Sequence, residues 1–208
     1  MFKTISQSEV TAEIVEKKSK FIANIYYVET VIEAEEKIKE VKKKYYDARH
    51  NCFAYSIFSK DGIINRFSDD GEPSGTAGSP MLNIINSKNL SNILVVVTRY
   101  FGGILLGTGG LVRAYTGALQ EALNSCTEVE KDLGLEVEFE VIYADFEKIK
   151  YYLNQNNIKM LNIEYKENIS IVVEICRKKL EKMEFDKNEL NFKILDTKII
   201  KEKYIENG

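Results

Sequence analysis

Residues 67–122 read FSDDGEPSGTAGSPMLNIINSKNLSNILVVVTRYFGGILLGTGGLVRAYTGALQEA, and their reading decides the fold. Nine of the chain's twelve glycines lie between Gly71 and Gly117, and both prolines, Pro73 and Pro80, lie there too. At the centre, Ile93–Val97 is continuously apolar, which predicts a strand buried on both faces. Before it, Ser79 as N-cap and Pro80 at the first helical position predict a short helix filled by Met81, Leu82, Ile84 and Ile85. After it come Gly102-Gly103 and Gly107-Thr108-Gly109-Gly110. A second helix is expected from near Gly109, with Thr108 as its N-cap. Its buried face is Leu111/Val112, Tyr115, Ala118/Leu119 and Ala122/Leu123. Glycine belongs where a chain needs positive φ or close backbone approach, so two glycine loops around one strand point to a site.

Working outward, Val10–Val15 and Ser19–Val28 read as strands. Thr30 and Glu33 have capping-box spacing and open a helix with the stripe Val31, Ala34, Ile38, Val41 and Tyr45. Lys42, Lys43 and Lys44 close it, either as a basic patch or as a solvated end favoured by the helix dipole. A strand follows from Cys52 to Phe58, Asp61-Gly62 is a hairpin turn signal, and Ile63–Phe67 returns. On the other side a boundary falls at 127–134, separating domains 1–130 and 135–208. Beyond it Leu135–Ile142, a helix capped by Asp145, Ile158–Tyr165, Ile169–Cys176, a helix from Lys178 to about Asp186, and Phe192–Ile200 follow in order. This β-α-β-β-α-β order is the ferredoxin-like split βαβ arrangement, and the fold class is α+β.

Composition bounds the function. There are 208 residues, 44% of them apolar, enough for a core, and no run of 18 apolar residues to span a membrane. The N-terminal MFKTISQSEV lacks the apolar core of a signal peptide. Cys52, Cys126 and Cys176 are odd in number and far apart, which argues for a reduced, cytoplasmic setting. His50 is the only histidine and no CxxC occurs, which disfavours zinc. No cofactor is expected. Net charge is −3, and residues 1–130 carry 15 Lys+Arg against 16 Asp+Glu, so this is not a globally basic nucleic-acid binder. Four of the five arginines, Arg49, Arg66, Arg99 and Arg113, nonetheless fall in the first domain.

Candidate chemistry follows from these residues. His50 is either a general base or a hydrogen-bonded structural residue. Cys52 lacks a second histidine to activate it as a nucleophile. Asp69, Asp70 and Glu72 either form a turn paired with nearby arginines or hold Mg²⁺ or Ca²⁺, although the spacing is not that of an EF-hand. Arg113 sits off the apolar stripe near the positive end of its helix dipole, so an anion is expected beside it. That anion is one of the three acids, or a phosphate or carboxylate on the glycine amides. The anion-binding set is Arg99, Gly102, Gly103, Gly107, Thr108, Gly109, Gly110 and Arg113.

Four segments carry a resemblance: KKSKFIA at 17–23, DARHNCFAY at 47–55, SDDGEPSGTAGSPML at 68–82 and VVVTRYFGGILLGTGGLVRAY at 95–115. Together they resemble the YigZ/IMPACT family, over the whole chain for its bacterial two-domain members and over the first domain for eukaryotic IMPACT. The resemblance implies a first domain similar to domain 2 of ribosomal protein S5 and domain IV of elongation factor G. It implies a second domain similar to the small α+β domains of that factor. Tyr45-Tyr46 stand where bacterial relatives often have His-Pro, which weakens any mechanism needing two histidines. IMPACT regulates translation initiation by competing for an activator of a stress kinase. The implied function is a noncatalytic, translation-associated module that binds RNA, the ribosome or a protein partner. The alternative is an enzyme acting on a phosphorylated or carboxylated small molecule, with His50, Asp69, Asp70 or Glu72 moving protons.

Overall fold

The computed structural model describes residues 1–59, 62–186 and 190–206. It divides into two units, Phe2–Val129 and a second made of Glu130 onward with Met1. In the first unit the strands are β1 (Phe2–Ile5), β2 (Glu9–Glu16), β3 (Ser19–Tyr27), β4 (His50–Ser59), β5 (Gly62–Ser68) and β6 (Ile93–Tyr100). Its helices are α1 (Val31–Lys44), α2 (Gly78–Ser87) and α3 (Gly107–Asn124). The apolar run is the middle strand, as its composition predicts: β2-β3-β6-β4-β5 is the sheet order, antiparallel throughout. Residues alternate across it. Phe21, Ala23, Ile25, Cys52, Ala54, Val95 and Val97 face α2 and α3. Tyr26, Tyr55, Ile57, Leu94 and Val96 face α1 through Ala34, Ile38 and Val41.

Thr30 caps α1 as its spacing predicts, accepting from the Glu33 N–H at 3.1 Å. Glu33 reaches back one residue further than a standard capping box, to the Glu29 N–H at 2.8 Å. The other two helix starts differ from expectation. Helix α2 begins at Gly78 with Ala77 as N-cap, so Ser79 and Pro80 lie inside its first turn. Helix α3 begins at Gly107 with Leu106 as N-cap, and Thr108 is its second residue rather than its cap. Of the Asp61-Gly62 turn, Asp61 lies outside the described residues. Gly62 has φ +120° and stands opposite Ser59.

The second unit is built from β7 (Glu128–Val141), a 3-10 turn at Tyr143–Asp145, α4 (Phe146–Gln155), β8 (Lys159–Tyr165), β9 (Ile169–Cys176), α5 (Arg177–Phe185) and β10 (Asp196–Glu206). Its strands run in the order β10-β7-β9-β8, each antiparallel to its neighbour. Leu135, Val137, Phe139 and Val141 alternate into one core with Ile169, Ile171, Val173 and Ile175, under Ile149 and Leu153 of α4 and Leu180 and Met183 of α5. The strand expected from Leu135 starts earlier, at Glu128, and β10 pairs along its 131–140 stretch, Glu206 standing opposite Lys131. The last strand is 196–206 rather than 192–200. Phe192 is core instead, and the Lys193 N–H donates to Asp145 Oδ2 at 3.1 Å. Strand β10 is exposed along most of its length, so hydropathy gave no signal for its ends.

Candidate functional site

The register of the first sheet brings the sequence candidates together. Arg99 on β6 stands between Phe21 on β3 and His50 on β4. Val97, two residues earlier, stands beside Cys52, so all of these side chains point to the α2/α3 face. Tyr115 reaches the same place from α3, and the loop 69–72 closes over it.

Glu72 is the hub. Arg99 Nη1 donates to its Oε1 at 2.7 Å and the Tyr115 hydroxyl donates to the same oxygen at 2.9 Å. The two charged side chains are 7% and 4% exposed, so this is a buried ion pair. The guanidinium lies 5.5 Å from the ring centres of both Phe21 and Phe101, a cation–π contact on each. Arg99 Nε is buried without a partner among the described residues. His50 Nδ1 meets the Asp70 carbonyl at 2.8 Å. A carbonyl only accepts, so Nδ1 carries the proton, and Nε2 faces Glu72 Oε1 at 4.0 Å. Gly71 turns the loop beside that ring at φ +86°, a backbone conformation that favours glycine.

The other two acids go elsewhere. Asp69 accepts three backbone N–H groups, from Gly75 (2.8 Å), Ala77 (3.0 Å) and Gly78 (2.8 Å). It is the cap of α2, supplied from outside the helix in place of Ser79. Asp70 takes Lys42 Nζ at 2.7 Å and the Asn51 N–H at 2.7 Å. Among the described residues no three His, Cys, Asp or Glu side chains converge in a way that holds a metal ion. Cys52 donates its thiol to the Asp69 carbonyl at 3.0 Å. Burial pushes that thiol up to about 12, and the charges of Glu72, Asp70 and Asp69 push the same way. The Tyr115 hydroxyl is raised too, first by burial and then by Cys52 and Glu72. These are protonated donors holding a core together.

The anion-binding set separates in space. Arg99 is engaged by Glu72. The Gly102 N–H donates to Ser19 Oγ at 3.1 Å, and a Cβ there would lie 2.0 Å from the Lys18 carbonyl carbon, so this glycine serves close packing. Gly110 is buried, with its Cβ position 3.1 Å from Leu106. What remains open is the start of α3. Gly107, at φ +70°, Thr108 and Gly109 begin a helix with no side-chain cap and no acid in its first turn. Their amides lack intrahelical acceptors. Arg113 is exposed, and its Nη1 lies 3.8 Å from the Cβ position of Gly109. The guanidinium therefore folds back over the first turn. Gly103, at φ +85°, has nothing within 4 Å of its Cβ position. Phe101, Ile104 and Leu105 stand exposed in the loop between.

Sequence reading missed Tyr115 as a site residue, because it fits the apolar stripe of α3. Its hydroxyl was the available signal, since a buried tyrosine needs a partner.

Comparison with known proteins agrees with the four segments. The Impact N-terminal domain matches residues 17–123, and a domain of unknown function, DUF1949, matches 139–182. The chain is 44% identical over 157 residues to the IMPACT family member YvyE of Bacillus subtilis, covering 76% of this chain and 72% of that one. It is 40% identical over 150 residues to the IMPACT family member YigZ of Escherichia coli, covering 72% and 74%. A crystal structure of a hypothetical protein shares 33% identity at a TM-score of 0.64, over 93% of this chain and 96% of that one.

Proposed function

The chain belongs to the IMPACT family, and we propose that it acts in the cytoplasm in the regulation of translation, by binding rather than by catalysis. Its ligand is RNA phosphate, on the ribosome or free, held at the start of α3. The observation that carries this reading is the Arg113 guanidinium folded over uncapped amides at Gly107–Gly109, with no ion pair among the described residues. Free amides at a helix start and a forked cation are the two parts of a phosphate site. The alternative catalytic set is disfavoured because His50, Asp69, Asp70 and Glu72 each already have a structural partner. The sheet order β10-β7-β9-β8 with α4 and α5 packed over its core supports the ferredoxin-like reading of the second unit. The S5 domain 2-like reading of the first rests on family resemblance, and so does a protein partner in translation control. No helix among the described residues is long and apolar enough to cross a membrane.

The test is RNA affinity against salt concentration. A local site on a chain of net charge −3 gives modest affinity and a shallow slope. Arg113→Ala weakens binding and lowers the slope by about one. Thr108→Glu places a carboxylate on the same amides and weakens binding while leaving the helix intact. Unchanged affinity and slope in folded Arg113→Ala overturn the RNA reading. Sulfate binding lost in that variant, with no RNA binding in the parent, moves the site to a small-anion ligand.

A further inference from the structure

The first sheet ends in an edge without protection. Strand β5, GIINRFS, is exposed from Gly62 to Phe67, and Ile63, Ile64 and Phe67 are 59%, 37% and 49% exposed. Edge strands of soluble proteins are usually blunted by lysine, proline, a bulge or a covering element. Among the described residues β5 has none of these. Its pairing with β4 runs without a register shift. Its one charge, Arg66, turns back toward Glu35 at 3.8 Å on its own chain.

We propose that β5 pairs antiparallel with β5 of a second copy of this chain, about a two-fold axis through Asn65, joining two five-stranded sheets edge to edge. The residues set this register. Ser59 and Gly62 face each other across two residues, and the closing pair of a two-residue hairpin is hydrogen-bonded. Bonded and non-bonded pairs then alternate. Gly62, Ile64, Arg66 and Ser68 turn their backbone groups to β4, and Ile63, Asn65 and Phe67 turn theirs outward. Centring on Asn65 uses all seven residues of the strand. Asn65 then meets Asn65, and Ile63 of each copy meets Phe67 of the other, an aromatic–β-branched pair made twice. Ile64 meets Arg66, whose apolar stem covers it. A two-fold at Arg66 would set two guanidiniums opposite each other, which is unfavourable. The strand is thus complementary to itself, as an isologous contact requires. This inference does not rest on the anion site.

Sedimentation equilibrium of the full chain over a wide concentration range tests it. The parent shows a reversible monomer–dimer equilibrium. Asn65→Pro removes an outward N–H and leaves the pairing with β4 intact, so it weakens association about tenfold or more. Ile63→Lys does the same by charge and keeps the test available if the proline variant fails to fold. Facing residues in a ladder lie within reach of a disulfide. Asn65→Cys therefore yields a covalent dimer on mild oxidation, above the background set by the three native cysteines in the parent. Phe67→Cys, which faces Ile63, does not. A parent that stays monomeric, a dimer unaffected by Ile63→Lys, or equal cross-linking by Phe67→Cys overturns the proposal.

Discussion

Arg99 and Arg113 have similar neighbourhoods in sequence: each adjoins a glycine pair, one at the end of the central strand and one at the start of the following helix. In space they are opposites. Arg99 is enclosed by two aromatic rings and a carboxylate, with the Tyr115 hydroxyl on the same oxygen. Arg113 is exposed, over free amides, with no acid in the first turn of its helix and no ion pair among the described residues. The difference is one of desolvation. A cation removed from water must be paired, and one left in water is free to meet a ligand. Motif identity alone assigns both arginines to ligand binding; burial separates them.

The contrast is tested most strongly by removing Glu72. Glu72→Ala leaves Arg99 buried and uncompensated, and urea unfolding is expected to show a loss of about 3–5 kcal/mol. A loss below about 1 kcal/mol, the size for an exposed pair, would mean the pocket is open to water and the contrast false. Next is Asp69. Asp69→Ala removes a charged acceptor from three amides and is expected to cost about 2–3 kcal/mol. Ser79→Ala should cost almost nothing. The reverse result would put the cap at Ser79.

The pH dependence sharpens the buried side. Cys52 titrates at about 12 in the fold against an ordinary 9.0. Between those values the folded state holds the proton that the unfolded state has lost. The stability contribution is therefore complete below pH 9 and falls as pH rises toward 12. Tyr115 is shifted in the same direction and steepens the loss from its ordinary 10.0 upward. Denaturant midpoints measured from pH 7 to 11 should fall with pH, and Cys52→Ala should flatten the onset near pH 9. The smallest effect is expected at Arg113. Its replacement by Ala should leave stability within about 0.5 kcal/mol, so that any loss of RNA binding reports the site and not the fold.

Much of the fold was legible because its determinants are local. The five consecutive apolar residues of Ile93–Val97 named the central strand, and Thr30 with Glu33 named a helix start that holds in atomic detail. In the second unit, alternation over 135–141 and 169–175 showed one buried face on each strand. Strand β10 was misplaced because most of its residues face water, and its pairing partner 56–75 residues earlier leaves no mark on its own composition.

The chain's sequence by itself determined the family, most of the strand and helix inventory though not β1 or the bounds of β10, and the presence of an acidic loop and two arginines between glycines. Those follow from hydrogen bonds and side-chain periodicities spanning a few residues. Only the tertiary structure decided what the loop acids do. Antiparallel register sets Phe21, Arg99 and His50 side by side, α3 brings Tyr115 to Glu72 from 43 residues away, and Asp69 reaches past its own turn to cap α2. Glu72 and Asp69 took donors that the fold withdraws from water, the Arg99 guanidinium and the amides of Ala77 and Gly78. Which donors those are depends on what the folded chain shields from water, and residue spacing does not encode that.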